Sequence, residues 1–172
     1  GICGGYQMLG QVVHDPNGIE GEAGSSAGLG LLAIETTLEA EKQLTQVKGK
    51  LLANGAVVEG YEIHCGVTTL LSSPSPSPDS DLYSSPMRHP LVQRSLIQLS
   101  DGSQEGVVSA CDQIIGTYMH GIFDHMEGCQ GLLEWAGLPV CKPFNYQAFR
   151  ESELDRLADL LEEHVDVDAL LG

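Results

Sequence analysis

Basic residues are scarce in this 172-residue sequence. Lys and Arg number 8 against 24 Asp and Glu, a formal net charge of -16. A chain this acidic repels polyanions, which argues against nucleic acid or an anionic membrane surface as partner. An anionic substrate needs a local basic patch or another domain. No apolar run approaches the ~20 residues of a membrane-spanning helix. The start is neither basic nor followed by a long apolar stretch, so no signal peptide is legible. No Cys-x-x-Cys occurs, and the five cysteines (Cys3, Cys65, Cys111, Cys129 and Cys141) are odd in number. Together these favour a reducing, cytoplasmic setting over a disulfide framework. No ligand pairs show finger-like spacing, so no metal site is expected. An initiator Met is also missing, and the sequence reads as a fragment.

What is present is enough for one domain, 1–172, with a real core: 42% of the residues are hydrophobic. After Cys3, the residues Met8, Leu9, Val12 and Val13 fall at helical spacing, predicting a helix that stops before the turn signal "DPNG" at 15–18. Strands are predicted at 28–38, 46–52 and 56–68, with Gly60 as a bulge. The Ser/Pro-rich stretch 72–86 reads as an exposed loop without chemistry. Residues 96–110 read as a hairpin turning near Asp101-Gly102. A strand at 113–121 ends at His120. Helices follow at 128–138, closed by Gly137 or Pro139, and at 145–165. The second has a stripe of Leu154, Leu157, Leu160, Leu161 and Val165 expected to be buried. A short turn is expected over 166–171. Strands feeding helices point to a layered α/β domain.

The opening "GICGGYQMLG" carries the sharpest chemical signal. Gly-x-Cys-x-Gly has the logic of a nucleophile elbow, a strand-to-helix turn with strained backbone at the nucleophile. Side chains two residues to either side would collide, so glycine is expected at Gly1 and Gly5. The thiol would sit at a helix N-terminus, a setting that favours thiolate. The Gly4 N–H would point where an oxyanion forms. Gln7 lies one helical turn beyond Cys3 on the same face, able to reach a substrate bound there. The bland alternative is a glycine-rich turn around a buried thiol.

A cysteine nucleophile needs a base. His14 and His89 read as surface residues. His164 closes a helix, where a cation suits the dipole, and His125 reads as exposed. His64 and His120 each end a strand and precede or approach glycine, in "GYEIHCG" and "GTYMHG". Strand C-terminal ends carry the site in open α/β sheets. The residues alone do not choose between them.

"GICGGYQMLG", "GYEIHCG" and "GTYMHGIFD", in this order and followed by "ELDRLADLLEEHVDVDALL", resemble the glutamine amidotransferase domains of cobyric acid synthases, cobalamin-biosynthesis enzymes. The resemblance implies a flavodoxin-like three-layer α/β fold of the class I amidotransferases, lacking its N-terminal strands here. It implies Cys3 as nucleophile and His120 as base, with Gly4 and Gln7 at the substrate, glutamine. Cys3 would attack the γ-carboxamide, releasing ammonia from a glutamyl thioester that water then hydrolyses. Ammonia would pass to an N-terminal ATP-dependent synthetase domain, which needs ATP and Mg and amidates the b, d, e and g carboxylates of a corrin, adenosylcobyrinic acid a,c-diamide. No cofactor is implied for the domain itself. The sequence departs from the common His-x-Glu pattern, because Ile122 stands where the acid would. Asp124 and Glu62 are candidate orienters of His120, and Asp124 is the better candidate for a helix cap. Glu62 and His64 match a family signature and are possible accessory residues. Without the upstream strands, the sheet edge beside the nucleophile would be exposed, and the fragment alone is expected to be weakly active at best. Alternatives are another class I amidotransferase, such as one of cell-wall amidation, a catalytically silent synthetase-binding module, and a cysteine peptidase or hydrolase on the same fold.

Overall fold

The computed structural model describes residues 1–71, 93–138, 145–165 and 169. The Ser/Pro-rich stretch 72–86, His89, Cys141 and most of the expected turn over 166–171 lie outside the described residues. The described chain is a mixed α/β fold. In order its elements are helix α1 (Gly4–Leu9), strands β1 (Val12–Asp15), β2 (Gly24–Ala27), β3 (Ile34–Leu51), β4 (Val57–Leu70), β5 (Arg94–Leu99), β6 (Gln104–Val108), β7 (Ile115–Gly116) and β8 (Met119–His120), and helices α2 (Met126–Trp135) and α3 (Tyr146–His164).

The strands form one sheet ordered β2-β1-β3-β5-β6-β7, with β4 pairing both β3 and β8. Its spine is the long β3–β4 hairpin. The register from Ile34↔Leu70 to Lys50↔Val57 is broken only between Thr37 and Lys42. This irregularity lets the first part of β3 pair with β1 in parallel and its last residues pair antiparallel with β5. The two strands expected at 28–38 and 46–52 are therefore one. Residues 28–32 do not belong to it: their N–H groups bond the carbonyls of Met8, Leu9, Gly10 and Gln11.

The helix after Cys3 is shorter than its apolar spacing predicts. It ends at Leu9, and Val12 and Val13 join β1 between β2 and β3. Two adjacent β-branched residues, Val12 and Val13, favour the sheet, where they gain cross-strand neighbours on both sides. Gly60 is not a bulge, since it pairs with Val47 in regular register. A Cβ there would lie 2.0 Å from the His120 carbonyl oxygen, so its glycine serves close approach of β8. The hairpin around Asp101-Gly102 forms as expected, with Gly102 at φ 90° and Asp101 Oδ1 accepting from Ser103 N at 2.8 Å.

The main core lies between the sheet and α2. Leu51, Val58, Ile97, Val108, Met119, Ile122 and Leu132 are buried together. Each such side chain contributes about 1.5–3 kcal/mol of apolar burial. Asn54 Nδ2 donates to the Gly131 carbonyl at 2.9 Å, and Trp135 Nε1 donates to Asp112 at 3.0 Å, fixing α2 against the sheet. A second cluster gathers Tyr6, Leu32, Ile34, Val107 and Tyr118 under α1.

Helix α3 departs from expectation. It forms where predicted, with the Asn145 side chain accepting from Ala148 N at 3.0 Å as N-cap. None of its residues is buried. Leu154, Leu157, Leu160 and Leu161 are exposed, and Val165 is half-buried. The amphipathic pattern fixes a helix, but its leucine face is left exposed.

Candidate active site

Residues Gly1 to Cys3 run alongside the segment 115–117. The Gly1 nitrogen donates to Ile115 O at 2.7 Å, Thr117 N to Gly1 O at 3.0 Å, and Cys3 N to Thr117 O at 2.9 Å, with Ile2 and Thr117 in a parallel bridge. The chain then turns sharply. Cys3 adopts φ 53° and ψ -119°, and α1 begins at the next residue. Left-handed backbone at a cysteine costs on the order of 1–3 kcal/mol and persists only where its surroundings hold it. Here three backbone hydrogen bonds clamp the approach. A Cβ at Gly1 would lie 2.6 Å from the Gly5 carbonyl oxygen, whereas one at Gly5 would meet nothing within 4 Å. The elbow thus explains Gly1 but not Gly5. Among the described residues no hydrogen bond engages the Gly4 N–H, which stays available beside the thiol.

His120 ends the same extended segment, three residues beyond Thr117, and pairs with Tyr61 across β4. The Cys3 thiol donates from Sγ to the Ile63 carbonyl at 3.2 Å. The extended segment 115–120 and the stretch Tyr61–Ile63 of β4 therefore hold Cys3 and His120 to one small region. His120 Nε2 is buried and has no hydrogen-bond partner among the described residues. Neither Glu62 nor Asp124 bonds to it. Asp124 is not the cap of α2 either. The N-cap is His125, without a side-chain bond, and Asp124 closes a turn by donating its N–H to Gly121 O.

The other strand-end histidine is occupied differently. His64 stacks on Tyr118, ring centroids 3.9 Å apart and planes 18° from parallel, and its Nδ1 donates to Gly66 O at 2.9 Å. Glu62, opposite Met119 and half-buried, has its carboxyl raised above the usual range by burial, partly offset by His64. Gln7 donates through Nε2 to Cys65 O and to the Tyr118 hydroxyl, both at 3.2 Å. Its carboxamide nitrogen is held by the protein, leaving the oxygen as its free end. The Tyr118 hydroxyl continues through Thr68 Oγ1 to Thr36 Oγ1. The remaining described histidines are engaged elsewhere: His14 with Ser25 and Glu35, His125 with Glu59, His164 with Glu163.

Sequence reasoning missed Glu105. This carboxylate on β6 is 7% exposed, accepting from Thr117 Oγ1 and from Tyr118 N, each at 2.6 Å. Burial pushes it up to about 7, against the pull of those two bonds and of the Gly106 N–H. The readable signal is "QEGVV": an acidic residue inside an apolar strand must find partners. Burial and then Glu105 also raise the Tyr6 phenol well above its ordinary range. Among the described residues no three His, Cys, Asp or Glu side chains gather as metal ligands. No described helix is long and apolar enough to cross a membrane.

A strained cysteine between an extended segment and a helix, a half-buried histidine with a buried Nε2 further along the adjoining segment, and a large mixed sheet define a class of α/β domain with a nucleophile-elbow geometry. The model of the CobB/CobQ-like glutamine amidotransferase domain matches residues 1–128, which include every residue of this site, and the chain belongs to that family. Its mixed α/β architecture is consistent with a flavodoxin-like class I glutamine amidotransferase domain.

Proposed function

We propose that the chain is the glutaminase part of a cobyric acid synthase, working through Cys3 and His120. The observation that carries the reading is the shared extended segment 115–120. The Cys3 N–H is bonded to Thr117, His120 lies three residues further on, and β4 meets both. In this reading His120 takes the Cys3 proton as the sulfur attacks the γ-carboxamide carbon of glutamine. The Gly4 N–H stabilises the oxyanion. The C–N bond breaks, the proton passes to the leaving ammonia, and a glutamyl thioester remains. Water, activated by the same imidazole, then releases glutamate and restores the thiol. The Gln7 carboxamide oxygen faces the substrate's polar groups, with Glu62 and His64 as accessory residues.

Ammonia would serve an ATP- and Mg-dependent synthetase domain N-terminal to this one, amidating the b, d, e and g carboxylates of adenosylcobyrinic acid a,c-diamide. The net charge of -16 is in keeping with a division of labour in which an anionic corrin and ATP bind elsewhere. The test is glutamate release and glutamine-dependent corrin amidation by the full-length protein beside its Cys3→Ala variant. The proposal expects the variant to lose both with glutamine but to keep amidation with free ammonia. Equal glutamine-dependent activity in the two proteins overturns the enzyme reading. Amidation of a cell-wall precursor instead of the corrin overturns the choice of pathway alone.

A further inference from the structure

The extended segment 115–120 is broken in its middle, and the break coincides with the site. Strand β7 ends at Gly116 and β8 begins at Met119. Thr117 and Tyr118 lie between them and carry the backbone that both Cys3 and His120 depend on. Buried N–H groups at such a break need partners. Tyr118 N donates to Glu105 Oε1 at 2.6 Å, and Met119 N donates to Thr117 Oγ1 at 3.0 Å. The Thr117 hydroxyl then passes its own proton toward Glu105 Oε2 at 2.6 Å. One carboxylate thus closes the break, directly for Tyr118 and through the Thr117 hydroxyl for Met119.

We propose that Glu105 is a positioning residue for the glutaminase reaction, setting the path of residues 117–119 and thereby the placement of His120 relative to Cys3. The inference rests on the Cys3–His120 reading above. The backbone of Thr117 fixes Cys3 on one side, and three residues of this path place His120 on the other. Displacement by about 1 Å at reacting groups costs on the order of a hundredfold in rate. Glu105 itself reaches neither group through any described hydrogen bond. Two other ionisable groups face it, Glu62 from β4 and Tyr6 from α1, and neither offers a positive charge. The ion therefore depends on hydrogen bonds from the segment it orders.

The experiment measures kcat and KM for glutamate release by the full-length protein and its Glu105→Ala, Glu105→Gln and Cys3→Ala variants, with thermal melting of each. Glutamine at 105 keeps one acceptor for Tyr118 N, while its amide can donate to Thr117 Oγ1 if that hydroxyl turns. The expected result is a kcat about a hundredfold lower in Glu105→Ala, with KM within about threefold of wild type and a cooperative melt above the assay temperature. Glu105→Gln should regain about tenfold of that loss. A folded Glu105→Ala protein whose kcat falls less than tenfold overturns the inference, as does a loss confined to KM. If Glu105→Ala does not fold, Glu105→Gln decides, and a kcat within threefold of wild type overturns the inference. An inactive Cys3→Ala beside a fully active Glu105→Ala defeats the positioning role alone. A fully active Cys3→Ala defeats the catalytic reading on which it rests.

Discussion

Two stretches of similar length behave in opposite ways. Residues 104–122 contain three short strands, β6, β7 and β8, yet most of their side chains are buried or half-buried, and their backbone bonds Cys3 and carries His120. Residues 146–164 form one unbroken helix without a buried residue. The first stretch is poor in local pattern and rich in bonds and pairings with distant residues, Gly1, Cys3 and Tyr61. The second is the reverse. Its Leu spacing and Asn145 cap make the helix, and nothing described determines what its apolar face covers. Local regularity therefore says little here about where stability and function reside. That follows from cooperativity, because a helix forms from contacts three and four residues apart while a site needs contacts across the whole sheet.

The contrast can be tested from its strongest point downward. Cys3→Ala should abolish glutamine hydrolysis, and His120→Ala should lower kcat by about 10²–10⁴-fold, as removal of a general base does. Both variants should melt close to wild type: Ala at 3 keeps the same backbone strain and gives up only a weak thiol hydrogen bond, and Ala at 120 removes a ring nitrogen that has no hydrogen-bond partner among the described residues. In the core, Ile97 is fully buried, and Ile97→Ala should cost about 2–5 kcal/mol by denaturant unfolding. The same truncation at exposed Leu157 in α3 should cost within about 0.5 kcal/mol. A large loss at Leu157 would mean that its face is covered after all.

The Glu105 carboxyl gives the comparison a pH axis. Its folded value of about 7 lies above the ordinary 4.5, so between these values the native state binds more protons than the unfolded chain. Its favourable contribution is complete below about pH 4.5 and is lost as pH rises through about 7. Relative to Glu105→Gln, wild type should lose on the order of 3 kcal/mol across that window. Equal pH dependence in the two proteins would contradict the burial argument. A small, purely local effect belongs to the start of α3. Asn145→Ala removes the bond to Ala148 N and should lower helix stability by about 1 kcal/mol, read by circular dichroism, with glutamine hydrolysis unchanged.

The legible parts of the sequence were those encoded within a few residues. The Asp101-Gly102 turn, α2 and α3 within a few residues, and the elbow at Cys3 were all readable from spacing and glycine placement. The extent of α1 was not, because Val12 and Val13 fit a helical stripe and a strand equally well until β2 and β3 supply partners. Gly60 looked like a bulge because close approach by His120 comes from a strand sixty residues away. Local pattern left His64 and His120 equivalent, and the resemblance chose His120. The two rings differ in packing: one is stacked on Tyr118 and bonded to Gly66, the other has a buried nitrogen without a partner among the described residues. Glu105 escaped notice because its partners, Thr117 and Tyr118, lie a dozen residues away in the break between β7 and β8. The leucines of α3 misled because amphipathicity was read as burial.

The most direct test of the Cys3–His120 site is covalent. The full-length protein would be incubated with a glutamine-mimicking electrophile, and the adduct located by mass spectrometry beside the His120→Ala variant. The account predicts one adduct, on the Cys3 sulfur, forming far more slowly without His120. Labelling of Cys65, Cys111 or Cys129 in preference to Cys3, or equal rates with and without the imidazole, would contradict it.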